Sequence, residues 1–442
     1  MNSPLIAAAI ITAAAMLLIR RGVDVRFVLI VAGLIMATII GTPWVILDTF
    51  QKVLGRGDVI GPICTAMGYA FVLKATGCDR DLVRLLVQPL RRVRWLLVPG
   101  GVAIGFIANM AITSQTAAAA AVGPILIPLM IASGYAPLAA AATLLVGCSV
   151  GGNLFNPGEP DIVSIGTAAN VNIGDVINVA FVPNMISFVV ATVVLTFVIR
   201  KLKLWNVDTL HVDEDSMPPL TRSQFFRAML APLPVIVLLL LQPGLGLAPS
   251  ILSLYPQGVY VSSVMLLCSG LVMLVTLAEP RRAVAHLTRL TVEFFEGMGF
   301  AFAKVISLIL AAACFLSGLE ALGAISKITK LLTYDTTIAA ILSPVITWGL
   351  AVISGSGTAP SVAFSQAVLP GVVATGAIST AILMGVAGAI GASVGRTMSP
   401  VSAIMLFTCT VAEVEPKALV KLVMWPMLSS LLTTIVYGLV SS

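Results

Sequence analysis

The stretch Ser354-Gly355-Ser356-Gly357-Thr358 lies between two strongly apolar segments of this 442-residue sequence. Its glycines and hydroxyl side chains interrupt what would otherwise be one long membrane helix. Inside a bilayer, unwound backbone is tolerated only where it is packed within protein or lines an aqueous cavity, because each unpaired amide costs several kcal/mol. The stretch therefore predicts a broken helix that holds a polar ligand.

A second break, Ser114-Gln115-Thr116, interrupts another apolar run in the first half of the chain. Ser114 and Ser356 are 242 residues apart, and the tripeptide Ser-Val-Gly occurs at both 149–151 and 393–395. Three further pairs repeat at nearly the same offset, namely Gly77 and Gly323, Pro99 and Pro344, and Pro157 and Pro400. Matches in the same order with nearly constant spacing predict an internal duplication.

The composition is that of a membrane protein. The chain is 59% hydrophobic and 10% charged, whereas soluble domains are about 25% charged. We predict an all-α polytopic membrane protein with about ten transmembrane helices plus two re-entrant helical hairpins. The net charge of +6 fits basic cytoplasmic loops, so no nucleic-acid partner is expected. The six cysteines are scattered without CxxC spacing, which predicts neither a disulfide framework nor a metal site.

Loop charges and the duplication define the predicted domains. Residues 1–203 form a first membrane repeat with a hairpin at 99–132, and 204–226 form a cytoplasmic linker. Residues 227–442 form a second repeat with a hairpin at 344–374. An odd number of predicted crossings separates the repeats, so they have inverted topology, and both termini are predicted outside. The basic residues that mark cytoplasmic loops are Arg80, Arg84, Arg91, Arg92, Arg94, Arg200, Lys201 and Lys203.

The first hairpin is interpreted as re-entrant because its first arm is short. Gly101 to Thr113 spans 13 residues, or about 20 Å as a helix, against roughly 30 Å of hydrocarbon. The alternative is two full spans joined at a turn.

Candidate ligand-binding groups cluster at the breaks and at the glycine- and proline-rich segments that follow them. Arg396 carries a planar guanidinium that suits a carboxylate; the alternative is an arginine that snorkels from a helix end. The predicted substrate-binding residues are Ser114, Gln115, Thr116, Asn153, Asn156, Ser354, Ser356, Gly357, Thr358, Arg396, Thr397 and Ser399. The predicted cation-coupling residues are Asp161, Asn153, Thr116 and Thr358, with Glu159 as a second acidic candidate. For the two acids, a solvated outer loop is the alternative.

Enzymatic readings find little support. No GxxxxGK[ST] phosphate-binding motif is present, and the two histidines, His211 and His286, fall in predicted loops. Gly55-Arg56-Gly57-Asp58 and Tyr334-Asp335 loosely match aspartyl intramembrane protease motifs, but in the wrong chain order. We predict no catalytic residue and no cofactor, with Na⁺ or H⁺ as the candidate coupling ion. Three further charged residues near predicted span ends are interpreted as interfacial, namely Lys74, Lys304 and Glu320.

Two C-terminal motifs resemble a known family. Residues Ser356-Gly357-Thr358-Ala359-Pro360 and Gly395-Arg396-Thr397-Met398-Ser399-Pro400-Val401-Ser402 resemble the GSGNAP and GRTLSPVS stretches of the DcuC family of anaerobic C4-dicarboxylate carriers. Ser114-Gln115-Thr116 resembles the Ser-Asn-Thr hairpin tips of divalent anion/sodium symporters in the wider ion transporter superfamily. The resemblance implies scaffold and transport subdomains, an elevator-type motion, a homodimer and a bacterial inner-membrane location.

The predicted function is secondary active transport of organic anions, either cation-coupled or by exchange. The resemblance implies C4-dicarboxylates such as succinate, fumarate or malate as substrates. Carriers of an amino acid, gluconate or lactate are alternatives within the same class. An anion channel is an alternative from another class, and it would lack saturable exchange. The residues leave open the coupling ion, the direction of transport and the exact substrate.

Overall fold

The computed structural model describes residues 3–87, 96–112, 114–205, 221–241, 249–255, 259–277, 283–324 and 336–441. Within these ranges the regular elements are all helices. Eight of the described helical segments are long and apolar enough to cross a membrane, and shorter apolar helices accompany them. The predicted all-α polytopic membrane fold is therefore confirmed. The inverted relation of the repeats and the re-entrance of the hairpins stay predictions.

The first half contains ten described helices. They are α1 (Ser3–Arg20), α2 (Val25–Ile39), α3 (Trp44–Leu54), α4 (Gly57–Thr76), α5 (Cys78–Val87), α6 (Leu97–Ala111), α7 (Gln115–Ala132), α8 (Pro137–Ser149), α9 (Pro160–Ala169) and α10 (Ile173–Lys201). A short 3-10 helix, Gly152–Phe155, lies between α8 and α9.

The described helices of the second half end in an order similar to that of the first half. They are α11 (Arg222–Leu230), α12 (Leu233–Leu240), α13 (Pro249–Leu254), α14 (Val261–Val275), α15 (Ala283–Ala301), α16 (Ser307–Ala321), α17 (Thr336–Ser354), α18 (Thr358–Val373), α19 (Ile378–Met398), α20 (Ala403–Ala412) and α21 (Pro416–Ser441). A π-helical turn, Phe302–Ile306, joins α15 to α16.

Both sequence breaks separate consecutive helices. The first break lies between α6 and α7, although Thr113 itself falls outside the described residues. Ser114 caps α7, because its hydroxyl oxygen accepts a hydrogen bond from Ala117 N at 3.3 Å. The second break lies between α17 and α18, where Gly355 has a φ of +71° that suits glycine. Helix α17 begins at Thr336, so Pro344 lies inside it rather than at its start.

The segments that follow the two hairpins are also discontinuous. Residues 150–159 separate α8 from α9, and residues 399–402 separate α19 from α20. The sequence predicts a broken segment from Gly395 to Ser402 after the second hairpin, but α19 continues through Gly395 to Met398. Its glycines serve close packing instead, since a Cβ at Gly395 would lie 2.9 Å from Cβ of Ala351 on α17.

The predicted linker is partly helical. Residues 206–220 lie outside the described part of the chain, but α11 already begins at Arg222. Thr221 and Gln224 form a capping box there, in which Gln224 N donates to Thr221 Oγ1 at 3.3 Å and Thr221 N donates to Gln224 Oε1 at 2.9 Å. The predicted loop residues Arg91, Arg92, Arg94, His211, Tyr334 and Asp335 also lie outside the described residues.

Several local features recur at the same offset as the repeated sequence motifs. Asn170 and Glu413 are 243 residues apart, and both end a short helix in the left-handed conformation, with φ of 54° and 55°. Ser187 on α10 and Ser430 on α21 are also 243 residues apart, and their hydroxyl groups form a 2.7 Å hydrogen bond. Packing of α10 against α21 therefore joins the two halves through corresponding positions.

Candidate functional site

Two buried carboxyl groups lie between α8 and the first turn of α9. Glu159 and Asp161 are each 1% exposed, so the alternative of a solvated outer loop is wrong. Glu159 Oε1 accepts a 2.8 Å hydrogen bond from Asn153 Nδ2, and Asn153 is itself fully buried. Asp161 lies in the first turn of α9, where the helix dipole favours negative charge.

Arg396 lies in the last turn of α19 and is 6% exposed, so the alternative of a snorkelling arginine is wrong. Its guanidinium interacts electrostatically with Glu159 and Asp161. Its Nη2 atom donates to Ser149 O at 3.5 Å. Burial of an isolated charge is costly, so these three groups stabilise one another. The fold thus brings one basic residue of the second half to two acids of the first half.

Both helix breaks reach this group of charges. Gln115, the first residue of α7, faces Glu159. Gly357, the last residue before α18, lies against Arg396, since a Cβ at this position would be 2.7 Å from Nη1. The first break therefore offers an amide side chain to the site, and the second break offers its backbone.

Unpartnered polar atoms are concentrated in the same region. Folded proteins leave few buried polar atoms without hydrogen bonds, so such a concentration indicates a site that a ligand, ion or water completes. Ser361 was not among the site residues predicted from the sequence, yet it faces Asp161 from α18. Its position one turn after Thr358 was the available signal. The buried atoms without a hydrogen-bond partner in the described part of the chain include Gln115 Nε2, Ser149 Oγ, Asn153 Oδ1, Glu159 Oε2, Asp161 Oδ1, Ser361 Oγ, Arg396 Nε and Ser399 Oγ.

Other predicted binding residues are engaged within the protein. Asn156 Nδ2 donates to Met110 O at 2.9 Å, and its Oδ1 accepts from Gly158 N at 2.9 Å. Thr397 Oγ1 donates to Ser393 O at 2.7 Å inside α19. Ser354 Oγ accepts from Ser356 N at 3.3 Å. These side chains shape the broken segments, and a direct role for them in binding stays a prediction.

Thr116, Ser356 and Thr358 are half-buried at the two breaks. Ser356 Oγ accepts a 3.2 Å hydrogen bond from Ala359 N, while Thr358 begins α18. Within the described residues, no group of three or more His, Cys, Asp and Glu side chains is placed to hold a metal ion. The oxygen atoms around Asp161 are the groups of the site that suit a small cation.

Broken membrane helices that converge on buried charges are characteristic of membrane transport proteins. The comparisons with known proteins agree with this class. The family model of DcuC, described as a C4-dicarboxylate anaerobic carrier, matches residues 48–441. The chain belongs to the DcuC family, and it is a transport protein rather than an enzyme.

The chain is also similar to individual relatives in sequence and to a solved structure in fold. The chain is 25% identical over 389 residues to the anaerobic C4-dicarboxylate transporter DcuC of Escherichia coli K12, covering 87% of this chain and 81% of that protein. It is 43% identical over 117 residues to an uncharacterized transporter of Haemophilus influenzae, covering 26% of this chain and 81% of that protein. The YdaH transporter of Alcanivorax borkumensis has a similar fold, with a TM-score of 0.62 and 18% identity over 89% of this chain and 86% of that one.

Proposed function

We propose that this chain is a cation-coupled secondary transporter of C4-dicarboxylates such as succinate, fumarate or malate. One observation carries the proposal: Arg396 is buried at the junction of the two halves, beside two buried carboxyl groups and many unpartnered polar atoms. The names of its DcuC relatives support the substrate class.

Arg396 binds one carboxylate of the substrate in this proposal. A guanidinium offers parallel N–H groups that match the two oxygens of a carboxylate. Its Nε has no partner among the described residues, and its weak 3.5 Å contact with Ser149 O leaves Nη2 available as well. Gln115 and the hydroxyl groups at the breaks would bind the remaining oxygens.

The balance of charge supports coupling to a cation. Two carboxyl groups face one guanidinium, so the site carries excess negative charge when both acids are ionised, and an anionic substrate increases it. Buried net charge is costly, so a proton or Na⁺ must accompany the substrate. Asp161 is the coupling residue in this proposal because its Oδ1 has no hydrogen-bond partner in the described part of the chain and Ser361 lies beside its carboxyl group. Glu159, which Asn153 anchors, positions Arg396.

The proposal includes an elevator-type motion of a transport subdomain that carries the two breaks and the charged residues. The proposal also includes insertion into the inner membrane as a homodimer. The linker is cytoplasmic and both termini lie outside. The family resemblance and the convergence of both halves on one site support these features.

Gly357→Ala is expected to weaken substrate binding without unfolding the protein. The φ of Gly357 is −82°, which alanine adopts without strain. The new methyl group would, however, displace the Arg396 guanidinium, since it would lie 2.7 Å from Nη1. We expect KM for succinate to rise about tenfold, equivalent to about 1.4 kcal/mol. Gly349→Ala, where a Cβ would meet nothing within 4 Å, is the control. An unchanged KM in Gly357→Ala would contradict contact between the second helix break and the Arg396 guanidinium.

Uptake of labelled succinate into proteoliposomes of the purified protein tests the proposed function. Uptake should saturate with succinate concentration and should be stimulated by an inward gradient of either H⁺ or Na⁺. Exchange from succinate-loaded vesicles should occur without a gradient, which separates a carrier from a channel. No uptake or exchange of any dicarboxylate would overturn the proposal. Transport of an amino acid, gluconate or lactate in the same assay would replace the substrate class.

A further inference from the structure

Lys304 occupies an unusual position in the fold. It lies in the π-helical turn Phe302–Ile306, within a continuous helical run from Ala283 to Ala321. The run is 39 residues long, or about 58 Å as a helix, which exceeds one bilayer crossing, so the interpretation of Lys304 as an interfacial residue stays a prediction. Single π-helical turns inside α-helices are rare and occur frequently at functional sites.

The backbone of the π-helical turn accepts hydrogen bonds from two side chains. Arg26 Nη1, at the start of α2, donates to Ala303 O at 3.0 Å, and Ser307 Oγ donates to the same oxygen at 2.6 Å. Arg26 is itself paired with Asp24 at 2.5 Å. Lys304 is exposed and has no ion pair within the described residues. The turn thus presents a lysine whose charge the surrounding protein leaves unneutralised.

Lys304 lines a cavity of about 170 Å³ between this turn and the second helix break. Ser356 and Thr358 lie on the opposite wall, and the rest of the lining is aliphatic, including Leu308 and Val362. A single water molecule needs only about 15 Å³ by this kind of measure, so the cavity has room for a small organic molecule. A cation, two hydroxyl groups and aliphatic walls suit a carboxylate on a short carbon chain.

The same helix break separates this cavity from Arg396. Gly357 lies between the cavity-lining residues Ser356 and Thr358, and its Cα faces the Arg396 guanidinium. The tip is therefore flanked by two cationic side chains, Arg396 on one side and Lys304 on the other. Arg396 already faces two acids, whereas Lys304 does not pair with a described acid.

We propose that Lys304 is a second substrate-contact residue, which binds one carboxylate of a dicarboxylate as the molecule passes the tip formed by Ser356, Gly357 and Thr358. The inference rests on the proposed function, because it takes the dicarboxylate from there. Lys304 then determines specificity: a dianion that spans the tip gains from both cations at once, whereas a monocarboxylate gains from only one of them at a time.

Lys304→Gln tests this role through the preference for dicarboxylates. Inhibition of labelled succinate uptake is measured with unlabelled succinate and with monomethyl succinate, which retains one carboxylate. We expect KM for succinate to rise about tenfold, as for loss of one charge-assisted hydrogen bond, while the maximal rate and inhibition by the monoester change less. Lys52→Gln, at an exposed lysine on α3, is the matched control and should retain wild-type values. Unchanged selectivity in Lys304→Gln would overturn the inference.

Chemical rescue separates the charge of Lys304 from its packing. All six cysteines of the chain are buried, so Lys304→Cys introduces an accessible thiol. Modification with 2-aminoethyl methanethiosulfonate restores an amine and should restore the low KM, whereas the neutral methyl reagent should not. Equal effects of both reagents would show that charge is not involved and would overturn the inference.

The wild-type protein distinguishes failure of this inference from failure of the proposed function. Succinate uptake that depends on Arg396 but is indifferent to Lys304→Gln overturns only the role of Lys304. Absence of dicarboxylate transport by the wild type overturns the proposed function, and the Lys304 inference with it, because no second carboxylate would need binding.

Discussion

Arg396→Ala is expected to abolish measurable succinate uptake and exchange. The substitution removes the guanidinium that binds a substrate carboxylate, and it leaves Glu159 and Asp161 buried without their cation. Each charge-assisted hydrogen bond between the guanidinium and the substrate carboxylate is worth about 1.5–3 kcal/mol, so loss of two of them corresponds to a loss in transport efficiency of at least about a hundredfold. Arg396→Lys should retain partial transport with a raised KM, because lysine keeps the charge but cannot bind a carboxylate through a planar fork.

Arg289→Ala is the matched control for Arg396→Ala, since Arg289 is exposed on α15. It should transport succinate as the wild type does. Elution of each purified variant as a single symmetrical peak in detergent checks that loss of transport does not reflect unfolding. A wild-type KM in Arg396→Ala would show that the buried arginine is structural and that substrate binds elsewhere.

Asp161→Asn is expected to separate exchange from cation-driven accumulation. Asparagine preserves the size of the side chain but cannot carry the charge that a proton or Na⁺ balances. We expect stimulation of uptake by the H⁺ or Na⁺ gradient to disappear, while succinate exchange across loaded vesicles continues. Asp161→Glu should retain some stimulation, because it retains an ionisable carboxyl group.

Glu159→Gln is the informative comparison for Asp161→Asn. Its amide oxygen can still accept the hydrogen bond from Asn153, so the broken segment should keep its shape. If Glu159 only positions Arg396, this variant should raise KM for succinate and retain gradient stimulation. Gradient-driven accumulation by Asp161→Asn at the wild-type level would assign coupling to another residue.

Local sequence features located the breaks and the charged candidates. Glycine and hydroxyl residues within an apolar run disfavour a continuous helix, and this signal is visible wherever a break occurs. Asp161 and Arg396 were identifiable because ionisable residues are rare in such surroundings. The end of α19 was not predictable in the same way. Gly395 resembles a helix breaker in sequence, but it packs against α17 and remains helical.

The role of Lys304 also depended on structure. A lysine within an apolar segment is usually read as the end of a span, because a charge is most easily accommodated at the interface. No periodicity in the sequence distinguishes a π-helical turn from an ordinary helical one. Only the tertiary structure placed this lysine across a cavity from Ser356 and Thr358.

Residue types and their spacing were thus sufficient for the membrane fold, the helix breaks and the family motifs, because each depends on the solvent preference and local hydrogen bonding of a short segment. Which polar groups share one site was decided by tertiary packing. Glu159, Ser361 and Arg396 are far apart in the chain, and they meet only because α9, α18 and α19 pack together. Their contacts are a property of that packing, which no local pattern encodes.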